Sequence, residues 1–144
     1  RIPETAKIRG IATSGMDGRS LSFGIADAVT VLARSAAEAD AAATLIANAV
    51  DIDDPAITRA PANELDPDSD LGDRCVTISR GYLSNEKINL ALQSGVARAQ
   101  KMLTTGSIET ALLACDGQIR IVELPEHQIP NSLMPYEATD SRRL

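Results

Sequence analysis

Two apolar runs, IETALLAC at 108–115 and QIRIVEL at 118–124, are separated by the dipeptide Asp116-Gly117. Asp-Gly supplies the positive φ angles of a type I′ turn, whose twist matches a pair of antiparallel strands. This is the clearest hairpin signal in the chain. It commits the C-terminal part to antiparallel sheet, and the rest of the sequence must supply what packs on it.

Other strands are read further upstream. Residues 8–12 (IRGIA) are apolar enough for one, and Ser20–Gly24 suggests a short second. Residues 28–33 (AVTVLA) form a β-branched, nearly continuous apolar run, the pattern of a buried strand. CVTIS at 75–79 is another. Two helices are mixed among these strands rather than strictly alternating with them. Ser35-Ala36-Ala37-Glu38 is a capping box, in which the hydroxyl caps an early N–H and the Glu reaches back to the cap's own N–H. The Ala-rich run 36–49 that follows has high helix propensity. Ala37, Ala41, Leu45 and Ala49, with Ile46 beside them, are expected to form its apolar stripe. Ser84 or Asn85 opens a second helix over about 86–103, where Ile88, Ala91, Leu92, Gly95, Ala99, Met102 and Leu103 share a face. Gly106 stands where a C-terminal cap belongs.

Between the helices, residues 51–74 change character. Eight acids stand against Arg59 and Arg74, which accounts for the whole chain's net charge of −6. Three prolines make a regular element here unexpected, and a loop this long is usually functional. Residues 125–144 carry Pro125, Pro130 and Pro135 and read as a polar tail behind a lobe spanning 1–124. The predicted class is α+β, with helices packed on one face of a largely antiparallel sheet. At 144 residues this is one domain or one lobe of a larger protein.

The acidic balance excludes the basic patch that nucleic acid requires and disfavours anionic membrane surfaces. Only 2% of residues are aromatic, so base-stacking platforms are absent. No apolar run reaches the roughly 18 residues of a membrane span, and no signal peptide is visible. Cys75 and Cys115 make neither a disulfide framework nor a zinc motif, which points to a reducing, cytoplasmic setting. The chain starts at Arg1 rather than Met, as a processed product or a piece of a longer polypeptide would.

Few residues carry chemistry. The only histidine, His127, lies in the polar tail, which speaks against a Ser-His-Asp site. Ser84-x-x-Lys87 is more simply a helix cap. Asp66, Asp68 and Asp70 begin like a calcium loop, but the sixth position is Leu71 rather than Gly and the twelfth is Thr77 rather than Glu. Asp40 and Thr44, four apart on a helix, present a carboxylate and a hydroxyl on one face. Such hard oxygens suit Mg²⁺, which keeps waters or ligand phosphates as its other partners. Thr13-Ser14-Gly15, just after a strand, can offer hydroxyls and N–H groups to an anion, with Arg19 close behind.

Taken together, Gly10-Ile-Ala-Thr-Ser-Gly15, Gly18-Arg19-Ser20, the run Gly24–Ala33 and the run Ala39–Ala49 resemble the uncharacterised family related to ApbE. The resemblance continues through Pro67–Gly72 to the second helix and covers roughly residues 8–115. ApbE proteins are Mg-dependent FAD:protein FMN transferases. Likeness to the transferases themselves rests on Ala12-Thr-Ser-Gly15 and on Ala39-Asp40 with Thr44. It implies Mg²⁺ at Asp40 and Thr44, with FAD or FMN held at Thr13, Ser14, Gly15 and Arg19. The transferases' His-x-x-Asp-Pro segment is Phe23-Gly-Ile-Ala-Asp27-Ala here, so Asp27 is the candidate base. The resemblance also implies that this chain is the C-terminal half, partnered by the family's N-terminal half, or else a homo-oligomer.

Three functions compete. One is Mg-dependent binding or processing of a flavin or other phosphate-bearing molecule, by transfer or hydrolysis. Another is an amide hydrolase with Thr13 or Ser14 as nucleophile on the same scaffold. The last is a non-catalytic subunit that supports a partner chain.

Overall fold

The computed structural model describes residues 7–18 and 20–124. Within them the order is β1 (Gly10–Ser14), β2 (Ala28–Ala33), α1 (Ala36–Ala49), β3 (Ile57–Pro61), α2 (Ala62–Leu65), β4 (Cys75–Arg80), α3 (Asn85–Thr104), β5 (Thr110–Cys115) and β6 (Gln118–Glu123). Strands β1-β2-β5-β6 make one sheet, every pairing antiparallel. β3 and β4 form a separate two-stranded ribbon. α1 lies on β1 and β2, α3 lies on β5 and β6, and the two helices touch. The α+β arrangement with helices on one face of an antiparallel sheet is therefore as the sequence predicts.

Strand alternation creates the core. Val29, Val31 and Ala33 of β2 and Ala111, Leu113 and Cys115 of β5 face the helices and are buried. Ile88, Ala91, Leu92, Ala99 and Leu103 of α3 meet them, as the helical spacing predicts. α1 corrects its expected stripe. Ala39, Ala42, Ala43, Ile46 and Ala47 are buried, whereas Ala37, Ala41 and Leu45 face outward. An almost uniform Ala helix has little amphipathic contrast, so spacing alone did not choose the buried side. The buried side is lined mostly by small side chains, and α1 lies close on β1. A Cβ on Gly10 would stand 2.0 Å from the Ser35 carbonyl oxygen.

The helix ends follow their signals. The Glu38 N–H donates to Ser35 Oγ, and that hydroxyl donates to the Glu38 carboxylate rather than leaving it to the backbone. Ser84 caps α3 by accepting from the Lys87 N–H. Gly106, at φ 72°, closes α3: its N–H donates to Leu103 O and the Ser107 N–H donates to Met102 O, a Schellman motif. Asp116 and Gly117, at φ 48° and 75°, make the expected turn.

Two expectations fail. Ser20–Gly24 is not a strand. It is an irregular segment wedged between the end of α1 and the ribbon: the Phe23 N–H donates to Asn48 Oδ1 and the Thr77 N–H donates to Ser22 O. The stretch 51–74 is not all loop, because β3 and α2 lie within it. Its prolines sit where they harm no ladder: Pro55 precedes β3, Pro61 ends it, and Pro67 follows α2. The polar tail 125–144 and His127 lie outside the described residues.

The second face of the main sheet has no helix among the described residues. Outward residues align across all four strands. One row is Ile11, Leu32, Thr110 and Glu123, and the next is Thr13, Thr30, Leu112 and Ile121. A third is Ala28, Ala114 and Ile119. A solvated sheet face normally alternates to polar residues, and this one does not.

Candidate functional site

β1 delivers Thr13 and Ser14 to the end of the main sheet, where the chain turns at Gly15. Thr13 projects from the helix-free face, its hydroxyl 2.8 Å from the Thr30 hydroxyl. By alternation Ser14 faces the helix side and is half-buried. Gly15 is buried, and its turn holds tightly to the residues before β2. The Met16 N–H donates to Ala26 O, and a Cβ on Gly15 would lie 2.2 Å from Asp27 O. No larger residue fits there. The structure thus brings the Thr-Ser-Gly turn against Asp27. Arg19 lies outside the described residues.

Asp40 and Thr44 project from the exposed surface of α1. Both are free of hydrogen bonds and ion pairs among the described residues. Since α1 covers the opposite face of the sheet, Thr13 and this pair are on different sides of it. No three His, Cys, Asp or Glu side chains among the described residues gather closely enough to hold a metal. An ion at Asp40 and Thr44 would take its remaining oxygens from water or from a bound phosphate, the habit of Mg²⁺.

Asp27 is fully engaged. One carboxylate oxygen pairs with Arg80 at 2.9 Å, and the other accepts the Asp116 N–H at 2.6 Å. Arg80 also donates to Ile25 O at 2.7 Å and to Cys115 Sγ at 3.1 Å, and reaches Asp116 at 3.5 Å. This cluster ties the ribbon's β4 to the starts of β2 and of the β5–β6 turn. As it stands, Asp27 is an anchor, and it would have to leave Arg80 to accept a proton. Burial works against the Arg80 charge, but its acidic neighbours outweigh that and raise its pKa. Burial also pushes the Cys115 thiol up to about 11, against the pull of the guanidinium.

Sequence spacing had no means of finding this cluster, since its members lie 27, 80, 115 and 116 along the chain. The same holds for Arg59, which donates to Phe23 O, Thr77 Oγ1 and the Asp51 carboxylate. Opposite them, Arg74 stacks over the Phe23 ring at 4.4 Å. Both arginines of the acidic stretch are thereby spent on holding it to the 20–27 segment. Its acids Asp66, Asp68 and Asp70 line an open cleft with Ser20 and Leu21.

The Cys115 environment has two measurable consequences. Exposed Cys75 should react with a disulfide reagent at pH 8, whereas buried Cys115 should react only after denaturation. Two thiols titrating at equal speed in the native protein would contradict this burial. The folded state also keeps the Cys115 proton up to about pH 11, against 9 when unfolded. Its contribution to stability is therefore complete below pH 9 and is lost as pH rises from 9 towards 11. Denaturant midpoints should fall across that window in the native chain and stay flatter in Cys115→Ala.

The fold and site define a two-layer α+β lobe with a polar turn at one end of its sheet. Residues 1–121 match the family described as AbpE bacteria, and the chain belongs to that family. A UPF0280 protein of Methanoculleus marisnigri is 49% identical over 57 residues, which are 39% of this chain and 24% of the relative. The UPF0280 protein MJ1526 of Methanocaldococcus jannaschii is 63% identical over 43 residues, 29% of this chain and 18% of the relative. These matched segments are minor parts of the relatives' own lengths. No solved structure matches the chain. No helix among the described residues is long and apolar enough to cross a membrane.

Proposed function

We propose that this chain is one lobe of a Mg²⁺-dependent protein that binds a flavin or other phosphate-bearing small molecule, the site being completed by the family's N-terminal half. The observation that carries this reading is the pair Asp40 and Thr44. An acid with no partner, one helical turn from an equally free hydroxyl, keeps its full capacity to ligate a hard cation. The metal would neutralise charge on a phosphate brought to the outer surface of α1, a place the Thr13 hydroxyl, on the other side of the sheet, does not reach.

The test is thermal unfolding of this chain together with the family's N-terminal half, with and without Mg²⁺ and FAD. A ligand at a hundred times its Kd stabilises the folded state by about 2.7 kcal/mol, a rise of roughly 10 °C at this size. Asp40→Ala should abolish the rise while leaving the ligand-free melting temperature unchanged, because the exposed Asp40 carboxylate makes no hydrogen bond or ion pair among the described residues. A rise that survives Asp40→Ala removes the metal assignment. No rise with either Mg²⁺–FAD or Mg²⁺–ADP removes the ligand class.

A further inference from the structure

We infer that the helix-free face of the main sheet is the surface on which the remaining lobe of the full-length protein docks. Ile11 at one edge is 62% exposed, and Ile119 and Ile121 at the other are 56% and 63% exposed. Leu32 and Leu112 fill the centre beside Thr13, Thr30 and Thr110, and within the three rows Glu123 is the one charged residue. This stands out on a chain of net charge −6. The face leaves a mostly apolar surface open, of the kind that marks binding sites.

The occupant follows from length. In the Methanoculleus relative 57 residues are 24% of the protein, so it is about 240 residues long. The 43 residues that make 18% of the Methanocaldococcus relative give the same length. That exceeds this chain by ~95 residues, enough for a second lobe. The inference rests on the two-lobe part of the reading above and not on its metal or its ligand.

The test uses this chain with the ~95-residue remainder of the Methanocaldococcus relative, the part that does not align with this chain, supplied as a separate polypeptide, without Mg²⁺ or flavin. Ile11→Lys and Ile121→Lys each bury a lysine in the interface and should weaken binding at least 100-fold. Leu90→Lys, on the outer surface of α3, should not change it. Circular dichroism melts confirm that each variant folds. Binding that ignores Ile11→Lys and Ile121→Lys overturns the surface while sparing the two-lobe reading. Absence of binding overturns both. A dimer of the chain alone that Ile121→Lys splits makes a second copy the occupant and overturns the inference. So does a face that binds hydrophobic dye only after truncation at Leu124, which would make the tail the occupant.

Discussion

Replacing Gly24 with valine should lower the melting temperature by roughly 15 °C or abolish cooperative unfolding, a loss of about 4 kcal/mol. A Cβ at this position would stand 2.1 Å from the Ala47 carbonyl oxygen and 2.9 Å from that of Val50. Both are backbone atoms of the end of α1, so no rotamer change relieves the contact. The neighbouring Ile25 N–H donates to Val50 O, which pins the segment from the other side. Moving the chain outward would break that bond and lift Ile25 out of the core, where it is fully buried. Gly106→Ala is the control. It is strained at φ 72° but meets no atom within 4 Å, and it should cost only about 1 kcal/mol. If Gly24→Val proves no worse than Gly106→Ala in a urea titration, the close approach of this segment to α1 is wrong.

Asp27→Ala should be nearly as severe, at about 3 kcal/mol. The Arg80 side chain is 13% exposed, and the substitution removes its best-placed counter-charge. Only the exposed Asp116, at 3.5 Å, remains to compensate. A charge left so poorly paired in a buried setting costs several kcal/mol, whereas replacing both partners by apolar groups costs far less. The double variant Asp27→Ala/Arg80→Met should therefore be more stable than Asp27→Ala alone, and a double-mutant cycle should return a coupling of 1 kcal/mol or more. Additive losses would show that the two side chains do not form a unit. The experiment also bears on function. If Asp27 is a base as well as an anchor, Asp27→Asn should abolish turnover of a bound ligand at temperatures where the variant is still folded.

The sequence was a good guide wherever the signal is local. Ser35 and Ser84 cap their helices, Gly106 closes α3, and Asp116-Gly117 makes its turn, because each depends on residues only a few positions apart. The spacing of Ile88, Ala91, Leu92, Gly95 and Ala99 marked the buried side of α3 for the same reason. It was a poor guide where local signal is weak or tertiary contacts prevail. α1 is too uniformly Ala to declare a face. Ser20–Gly24 has strand-like composition, yet its hydrogen bonds go to Asn48 and to the ribbon. β3 hides among acids and prolines because β4 supplies its partner and the prolines fall at element ends. Of the candidate site, Asp40 and Thr44 were legible as a helical pair, but the engagement of Asp27 was not.

By itself, then, the sequence determined an antiparallel hairpin, two capped helices and a two-layer α+β lobe with an acidic insertion. Period, propensity and capping act over one or two turns of chain, and they are written where they act. Only the tertiary structure decided that Asp27, Arg80, Cys115 and Asp116 form one cluster, and that Thr13 and Asp40 stand on opposite sides of a sheet. The same holds for the apolar rows left open across four strands. Each of these depends on which residues distant in sequence are brought together, and that is set by the packing of the whole core.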